Sequence, residues 1–342
     1  MSLLREEIGE QPRVLARLLE RNHGAVADVV AALERRPPTF VLIASRGSSG
    51  NAARYGQHVF GRLNRLPVGF ASPSLHTVYG VAPRLHGALV VGISQSGQSP
   101  DVVSVIEDAG GQGQVTVAIT NDPDSPLGQA AQHVLPLHAG PERAVAATKT
   151  YTASLCAVAQ LAAALSGHAT LSEELASIPA LVESQAFELG DVEKAVQVAS
   201  AWRSCAVVGR GPNYSTAFEA ALKLKELTAI AAEPYAPADL LHGPIALVGP
   251  DYPLVAVAPS GPARTAMDEL LGAVRQRGGV PLILSDEPED LGEHSLRLVR
   301  VPEWLSPLVA VIPVQRLAAG VAERRGVDVD HPFGLSKVTL TR

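Results

Sequence analysis

The chain reads as an α/β protein built from two tandem parallel sheets. Each is doubly wound between helices, with a helical segment ahead and a short tail behind. Three observations predict this. Short apolar runs alternate with helical stretches, the mark of right-handed βαβ units. The same programme restarts after residue 200. Two landmarks also keep one separation of 164 residues, Arg46-Gly47 with Arg210-Gly211 and Ser96-Gly97 with Ser260-Gly261. A shared offset indicates a duplicated domain, the alternative being two unrelated α/β domains with similar turns.

The elements follow in order. Leu4 to about Arg36 reads as one or two helices, stopped by Pro37-Pro38. Val41–Ala44 is a short strand, and Gly47 to Gly50 turns the chain into a helix expected to begin near Asn51. Leu89–Ile93 is the next strand, followed by the polar turn Ser94-Gln95-Ser96-Gly97-Gln98-Ser99. Ser99 is placed to cap a helix whose first residue is Pro100 and whose stop is Gly110. Val115–Ile119 repeats the strand. Thr152 to Leu165, interrupted by Gln160, is too short to span a bilayer and reads as a buried helix. In the second half, Ala206–Val208 leads through Gly209-Arg210-Gly211 into a helix. Leu254–Ala258 leads through Pro259-Ser260-Gly261 into another, and Leu282–Leu284 follows. The expected division is a helical segment over 1–36, a first domain over 37–180, a second over 181–330, and a tail over 331–342 carrying Lys337. The join is expected between Ser172 and Val196.

Composition narrows the function. The 342 residues are 46% hydrophobic but only 4% aromatic, so Val, Ala and Leu must build the cores. A net charge of −6 with no basic block argues against nucleic acid as the main partner. Cys156 and Cys205 are too few for a disulfide framework, and a reducing cytoplasm is expected. The first twenty residues are amphipathic and charged, unlike a signal peptide, and no membrane segment is expected.

The turn Ser94–Ser99 presents hydroxyls and backbone N–H groups at the carboxyl end of a parallel strand, a ready anion site. Ser48-Ser49 follow the preceding strand and add hydroxyls to it. The second copy has Ala258, Ser260 and Ala263 where the first has Ser94, Ser96 and Ser99. Asp101 lies in the first helical turn, where it suits the dipole but would repel a phosphate.

Glu219, Lys223 and Glu226 share one helical face at spacings of four and three. They form either a solvated salt-bridge ladder or a base with a cation beside it. A buried glutamate can work as a base near neutral pH, and a lysine one turn away can steady an enediolate oxygen. His242, fixed by Gly243-Pro244, is either a structural loop residue or a proton shuttle. Lys337 by itself reads as a surface lysine. Asp328, Asp330 and His331 cluster, but the pattern is weak and a solvated turn is expected. No metal site is proposed. Gly209-x-Gly211 lacks the third glycine of a dinucleotide fingerprint.

Together the motifs resemble the isomerase half of glucosamine-6-phosphate synthase, in the sugar isomerase (SIS) family. They stand here as Ser94-Gln95-Ser96-Gly97, Val145-Ala146-Ala147-Thr148-Lys149, Lys223-Leu224-Lys225-Glu226, Leu241-His242-Gly243-Pro244 and Lys337-Val338-Thr339, in family order along nearly the whole chain. The resemblance implies two tandem SIS domains with flavodoxin-like winding. It implies that Glu226 moves a proton between C1 and C2, and that His242 opens the ring, from its own or a neighbouring subunit. Lys337 forms a Schiff base with the ketose or guards that site, and Lys223 steadies negative charge. Ser49, Ser94, Gln95, Ser96 and Ser99 hold the phosphate, with Ser48, Val145 and Ala147 near the sugar. A homodimer with sites near its interface is implied, and the reaction needs no organic cofactor.

Departures refine the expectation. The chain enters the isomerase half almost at Met1-Ser2, so no glutaminase is expected ahead of it. Ala147 replaces a serine, and Arg46 replaces a small residue, adding a cation near the proposed phosphate. The Arg-Gly-Ser-Ser, Ser-Gln-Ser-Gly-x-Ser-Pro-Asp and Ala-Ala-Thr-Lys segments look more like stand-alone SIS-type glucosamine-6-phosphate deaminases. The expected activity is therefore a deaminase/isomerase giving fructose-6-phosphate and ammonia. The alternatives are an isomerising aminotransferase without a glutaminase, or an enzyme for a fructosyl-amine or galactosamine phosphate. A non-catalytic sugar-phosphate sensor is the other class. Such regulators carry a basic DNA-binding helical domain, and residues 1–36 are too few and too mixed in charge for one.

Overall fold

A computed structural model describes residues 2–187, 192–292 and 294–337. Val338 and Thr339 of the tail motif lie outside the described residues. Among the described residues ten strands form two separate sheets, every pairing parallel. The first contains β1 (Phe40–Ser45), β2 (Val68–Phe70), β3 (Ala88–Ile93), β4 (Val115–Thr120) and β5 (His133–Pro136), in the order β2-β1-β3-β4-β5. The second contains β6 (Ser204–Gly209), β7 (Ala231–Tyr235), β8 (Leu254–Val257), β9 (Leu282–Ser285) and β10 (Ser295–Arg297), in the order β10-β9-β8-β6-β7. Read from the other edge, this is the same winding.

Burial explains the strands that the sequence announces. β3 and β4 are buried at every residue, as expected of strands covered on both faces. Their side chains join Ile106, Val105 and Leu127 in one core, while Ala206, Val208 and Ala256 meet Leu270, Leu271 and Val274 in the other. Gly92 of β3 leaves room for Leu127 and Ile106, because a Cβ there would lie 2.8 Å and 3.0 Å from them.

By packing, the chain divides into two compact units. One comprises residues 13–142, 149–177 and 336–342; the other comprises 1–12, 143–148 and 178–335. The helix Leu3–Arg21, of which residues 3–12 belong to the second unit, contains Pro12, which cannot donate to the Ile8 carbonyl. The Gln11 side chain donates to it instead, at 2.9 Å, and also to Gln315 Oε1 at 2.9 Å.

Several local expectations change. The helix Gly47–Asn64 starts four residues before Asn51, so Ser48 and Ser49 stand in its first turn rather than ahead of it. Gly47 makes this possible by taking a left-handed φ of +52°. Asp330 does not sit in a merely solvated turn: its carboxylate accepts the N–H groups of Leu3 and Leu4 at 3.0 Å and 2.8 Å, capping the first helix. Among the described residues no cluster of three or more potential metal ligands occurs. The helix Lys149–Ser166 is buried as expected, but a longer apolar segment, Glu303–Arg324, was not singled out in the sequence. It is long and apolar enough to cross a membrane, and 94% of its most apolar 18-residue stretch is buried inside the protein.

Candidate active site

The first unit builds its candidate phosphate site on the turn after β3. The Ser94 N–H donates to Ile119 O (3.1 Å), and the Gly97 N–H reaches both Ser94 O and Ser94 Oγ (3.2 Å each). Gly97 has φ +64°, and a Cβ there would lie 1.9 Å from Ser125 Oγ, so no other residue fits the bend. Ser99 occupies the N-cap position of the helix Pro100–Gly111, but its hydroxyl makes no cap bond. The Val102 and Val103 N–H groups bond instead to the Ser99 carbonyl at 3.1 Å, and the hydroxyl turns to Ser94 Oγ at 3.5 Å. That correction leaves both hydroxyls at one point of the turn. Gln95, Ser96 and Ser99 remain partly exposed, as do Ser48 and Ser49.

Asp101 and Arg46 settle each other. The Asp101 carboxylate is buried and accepts from Arg46 Nε at 2.7 Å. Arg46 therefore neutralises the carboxylate in the first helical turn after the serines. It is half exposed, so the pair sits at the surface of the turn.

Lys337 lies in the same unit. Its Nζ donates to Glu142 Oε2 at 2.8 Å, and Glu142 is fully buried. Thr150 adds its N–H (3.0 Å) and its hydroxyl (2.6 Å) to the same carboxylate. Burial opposes the charge on Glu142, but Lys337 and the Thr150 bonds hold its carboxyl below the usual range. Nothing in the sequence marked Glu142; a lone acid between Pro141 and Arg143 gives no periodic signal.

The second unit holds the acid–base candidates. On the helix Tyr214–Thr228, Lys223 Nζ donates to Glu226 Oε2 at 2.5 Å and lies 3.4 Å from Glu219 Oε1. Lys223 and Glu219 are buried, and the Glu226 side chain is 25% exposed. The row is thus not a solvated ladder: one carboxylate and the ammonium are in the interior, and the second carboxylate opens outward. His242 follows the short helix Pro237–Leu241 and is exposed. Val145 and Ala147 are half-buried on the segment 143–148. Buried Glu7 anchors that segment by accepting from the Arg143 and Ala144 N–H groups (2.5 Å and 3.2 Å), and Val145 N bonds to Asp330 O.

The turn of the second copy is filled by its own acids. Asp286 accepts from Ser260 N and Ser260 Oγ, both at 2.6 Å, and Glu303 accepts from Ala263 N at 2.7 Å. Burial would raise the Asp286 pKa, but bonds from Ser260 and Arg300 keep it below the usual range. In the second copy, the donors that correspond to the first copy's candidate phosphate turn already hold carboxylates.

The sequence profile of the SIS domain matches residues 38–164 and 200–322. The chain belongs to the SIS domain family. A relative, the glutamine–fructose-6-phosphate aminotransferase (isomerizing) of Zymomonas mobilis, is 34% identical over 98% of this chain and 58% of its own length. The chain thus spans rather more than half the length of the curated relatives it matches. Among solved structures, the C-terminal domain of glucosamine-fructose-6-phosphate aminotransferase from Francisella tularensis superposes with a TM-score of 0.88. It is 29% identical and covers 97% of this chain and 98% of that one. A glucosamine-6-phosphate deaminase from Thermotoga maritima shares the fold at TM-score 0.78, with 22% identity over 99% and 100% of the two chains.

Proposed function

We propose that this SIS protein isomerises amino-sugar phosphates, and that it converts glucosamine-6-phosphate and water into fructose-6-phosphate and ammonia. The observation that carries the reading is the Glu219–Lys223–Glu226 row, a partly exposed carboxylate held by a buried ammonium at 2.5 Å. A base needs access to its proton, and a developing enediolate needs a cation that water does not screen. In this reading the serine turn holds the phosphate and His242 opens the ring. Glu226 removes the C2 proton and returns it to C1, which leaves an imine at C2. Lys337 displaces ammonia by forming its own imine, and water releases the ketose.

Preference for deamination rests on the Arg46–Asp101 pair. The arginine of Arg-Gly-Ser-Ser and the aspartate of Ser-Pro-Asp, both marks of the deaminase-like pattern, are one ion pair at 2.7 Å. A second reading is an isomerising aminotransferase that uses ammonia or a separate glutaminase. The 34% identity to the Zymomonas mobilis enzyme over nearly this whole chain favours it. A galactosamine or fructosyl-amine phosphate would be accommodated at Ala147. A homodimer in which exposed His242 serves the neighbouring subunit belongs to the same proposal.

The test is to mix purified protein with glucosamine-6-phosphate and follow ammonia and fructose-6-phosphate together. Equal release supports deamination. Formation of glucosamine-6-phosphate from fructose-6-phosphate and ammonium, with no forward release, supports the second reading. Tight binding without turnover of any amino-sugar phosphate would point to a sensor and contradict both.

A further inference from the structure

The carboxylate that holds Lys337 has a surrounding no simple tail anchor requires. Glu142 is fully buried, and it accepts from Lys337 Nζ, Thr150 N and Thr150 Oγ1. It leaves β5 at the same carboxyl edge from which the serine turn leaves β3. A chain of bonds joins the two. Asn121 N donates to Gln95 O at 3.1 Å, Asn121 Nδ2 donates to Gly140 O at 2.8 Å, and Ala139 N donates to Asn121 Oδ1 at 3.0 Å. The turn that presents the hydroxyls and the loop that presents Glu142 are therefore fixed to each other within one unit. β3 and β5 are separated by β4 alone, so the two loops start about 10 Å apart.

We infer that Glu142 is the positioning residue of Lys337: it directs the tail amine toward the sugar-phosphate turn and takes the proton the amine must lose before attacking a carbonyl. The inference rests on the reading of Lys337 as a Schiff-base lysine. The step balances within the pair. The Lys337 ammonium gives one proton to the Glu142 carboxylate. The amine lone pair forms a bond to C2 of the ketose phosphate, and the carbonyl π pair moves to oxygen. Transfer of a second nitrogen proton to that oxygen gives a neutral carbinolamine. The proton held by Glu142 then goes back to the hydroxyl, which departs as water while the C=N bond forms. Ammonium and carbonyl become a protonated imine and water, and Glu142 ends ionised beside the new cation. The Thr150 donors keep the carboxylate aimed throughout.

The experiment is borohydride trapping with fructose-6-phosphate, read by intact mass and peptide mapping at Lys337, with sugar-phosphate affinity and urea midpoint measured on the same proteins. Wild type is expected to gain one reduced hexose phosphate on Lys337. Glu142→Gln should trap at least tenfold more slowly with affinity within twofold of wild type. Glu142→Asp, which keeps a carboxylate one methylene short, should trap at an intermediate rate. Trapping by Glu142→Gln at the wild-type rate overturns the role of Glu142. So does a loss of trapping that follows the urea midpoint in both variants rather than the presence of a carboxylate. If Glu142→Gln does not fold, Glu142→Asp decides alone: three- to tenfold slower trapping supports the inference, and an unchanged rate overturns it. Absence of any wild-type adduct overturns the Schiff-base reading, and the inference with it.

Discussion

Lys223 has a carboxylate on either side along one helix, and the two are not equivalent. Glu219 is sealed in and Glu226 is partly open, so the same lysine neutralises an interior charge and faces a candidate base. Two substitutions separate these duties. Glu226→Gln keeps the fold and lowers turnover by roughly 10²–10⁴, the range for losing a positioned base. Lys223→Met takes the ammonium away from the buried Glu219 carboxylate and destabilises the protein by about 3–5 kcal/mol as well as removing turnover. Urea unfolding beside a kinetic assay distinguishes the two. Arg46 calls for a different assay. Arg46→Ala leaves buried Asp101 unpaired beside the turn and should weaken sugar-phosphate binding about tenfold, or about 1.4 kcal/mol. Adding Asp101→Asn should restore most of the affinity, as calorimetry would show. At this scale the sequence displayed the spacing of Glu219, Lys223 and Glu226 but not their burial, because burial depends on what packs over the helix. It displayed Arg46 and Asp101 but not their pairing across 55 residues.

The two serine-glycine turns show how one element acquires different uses. After β3 the hydroxyls of Ser94 and Ser99 face each other in a turn with no internal acid, whereas after β8 the acids Asp286 and Glu303 already take the Ser260 and Ala263 donors. Gly97 is the residue on which the first turn depends. Gly97→Ala combines a left-handed φ with a clash against Ser125, and should cost more than the about 1–3 kcal/mol of a strained backbone alone. The urea midpoint measures it, and sugar-phosphate affinity should fall with it. The six strands legible in the sequence are the three central ones of each sheet. The four that were not, β2, β5, β7 and β10, are the edges. Edge strands are short, are half-covered and tolerate proline, as Pro136 and Pro234 show, so they lack the continuous apolar run that marks a buried strand. Ser99 misled for a related reason: its position suits a cap, but its hydroxyl has a neighbour in Ser94.

The whole molecule repeats one winding twice and divides the candidate chemistry between the two packed units. One unit carries the serine turn, Glu142 and Lys337; the other carries Glu226, Lys223, His242, Val145 and Ala147. Repetition was legible because a constant offset of turn motifs survives when side chains diverge. The exchange of residues 1–12 and 143–148 into the second unit was not, since no local pattern records which core a segment joins. One pH effect belongs to this scale. Glu142 has a lowered folded pKa, so the stability it contributes is present above its unfolded value of about 4.5 and is lost as pH falls through the folded value. The urea-midpoint gap between wild type and Glu142→Gln should be largest near neutrality and close as pH drops below about 4.5.

The most direct test of the isomerase reading is hydrogen exchange at carbon. Fructose-6-phosphate incubated with the protein in D₂O and followed by proton NMR should lose one of its two C1 proton signals to deuterium. The Glu226→Gln protein should bind the sugar phosphate as tightly and exchange at least a hundredfold more slowly. No exchange by wild type despite binding, or equal exchange by the variant, would contradict the assignment of Glu226 as the base that moves a proton between C1 and C2.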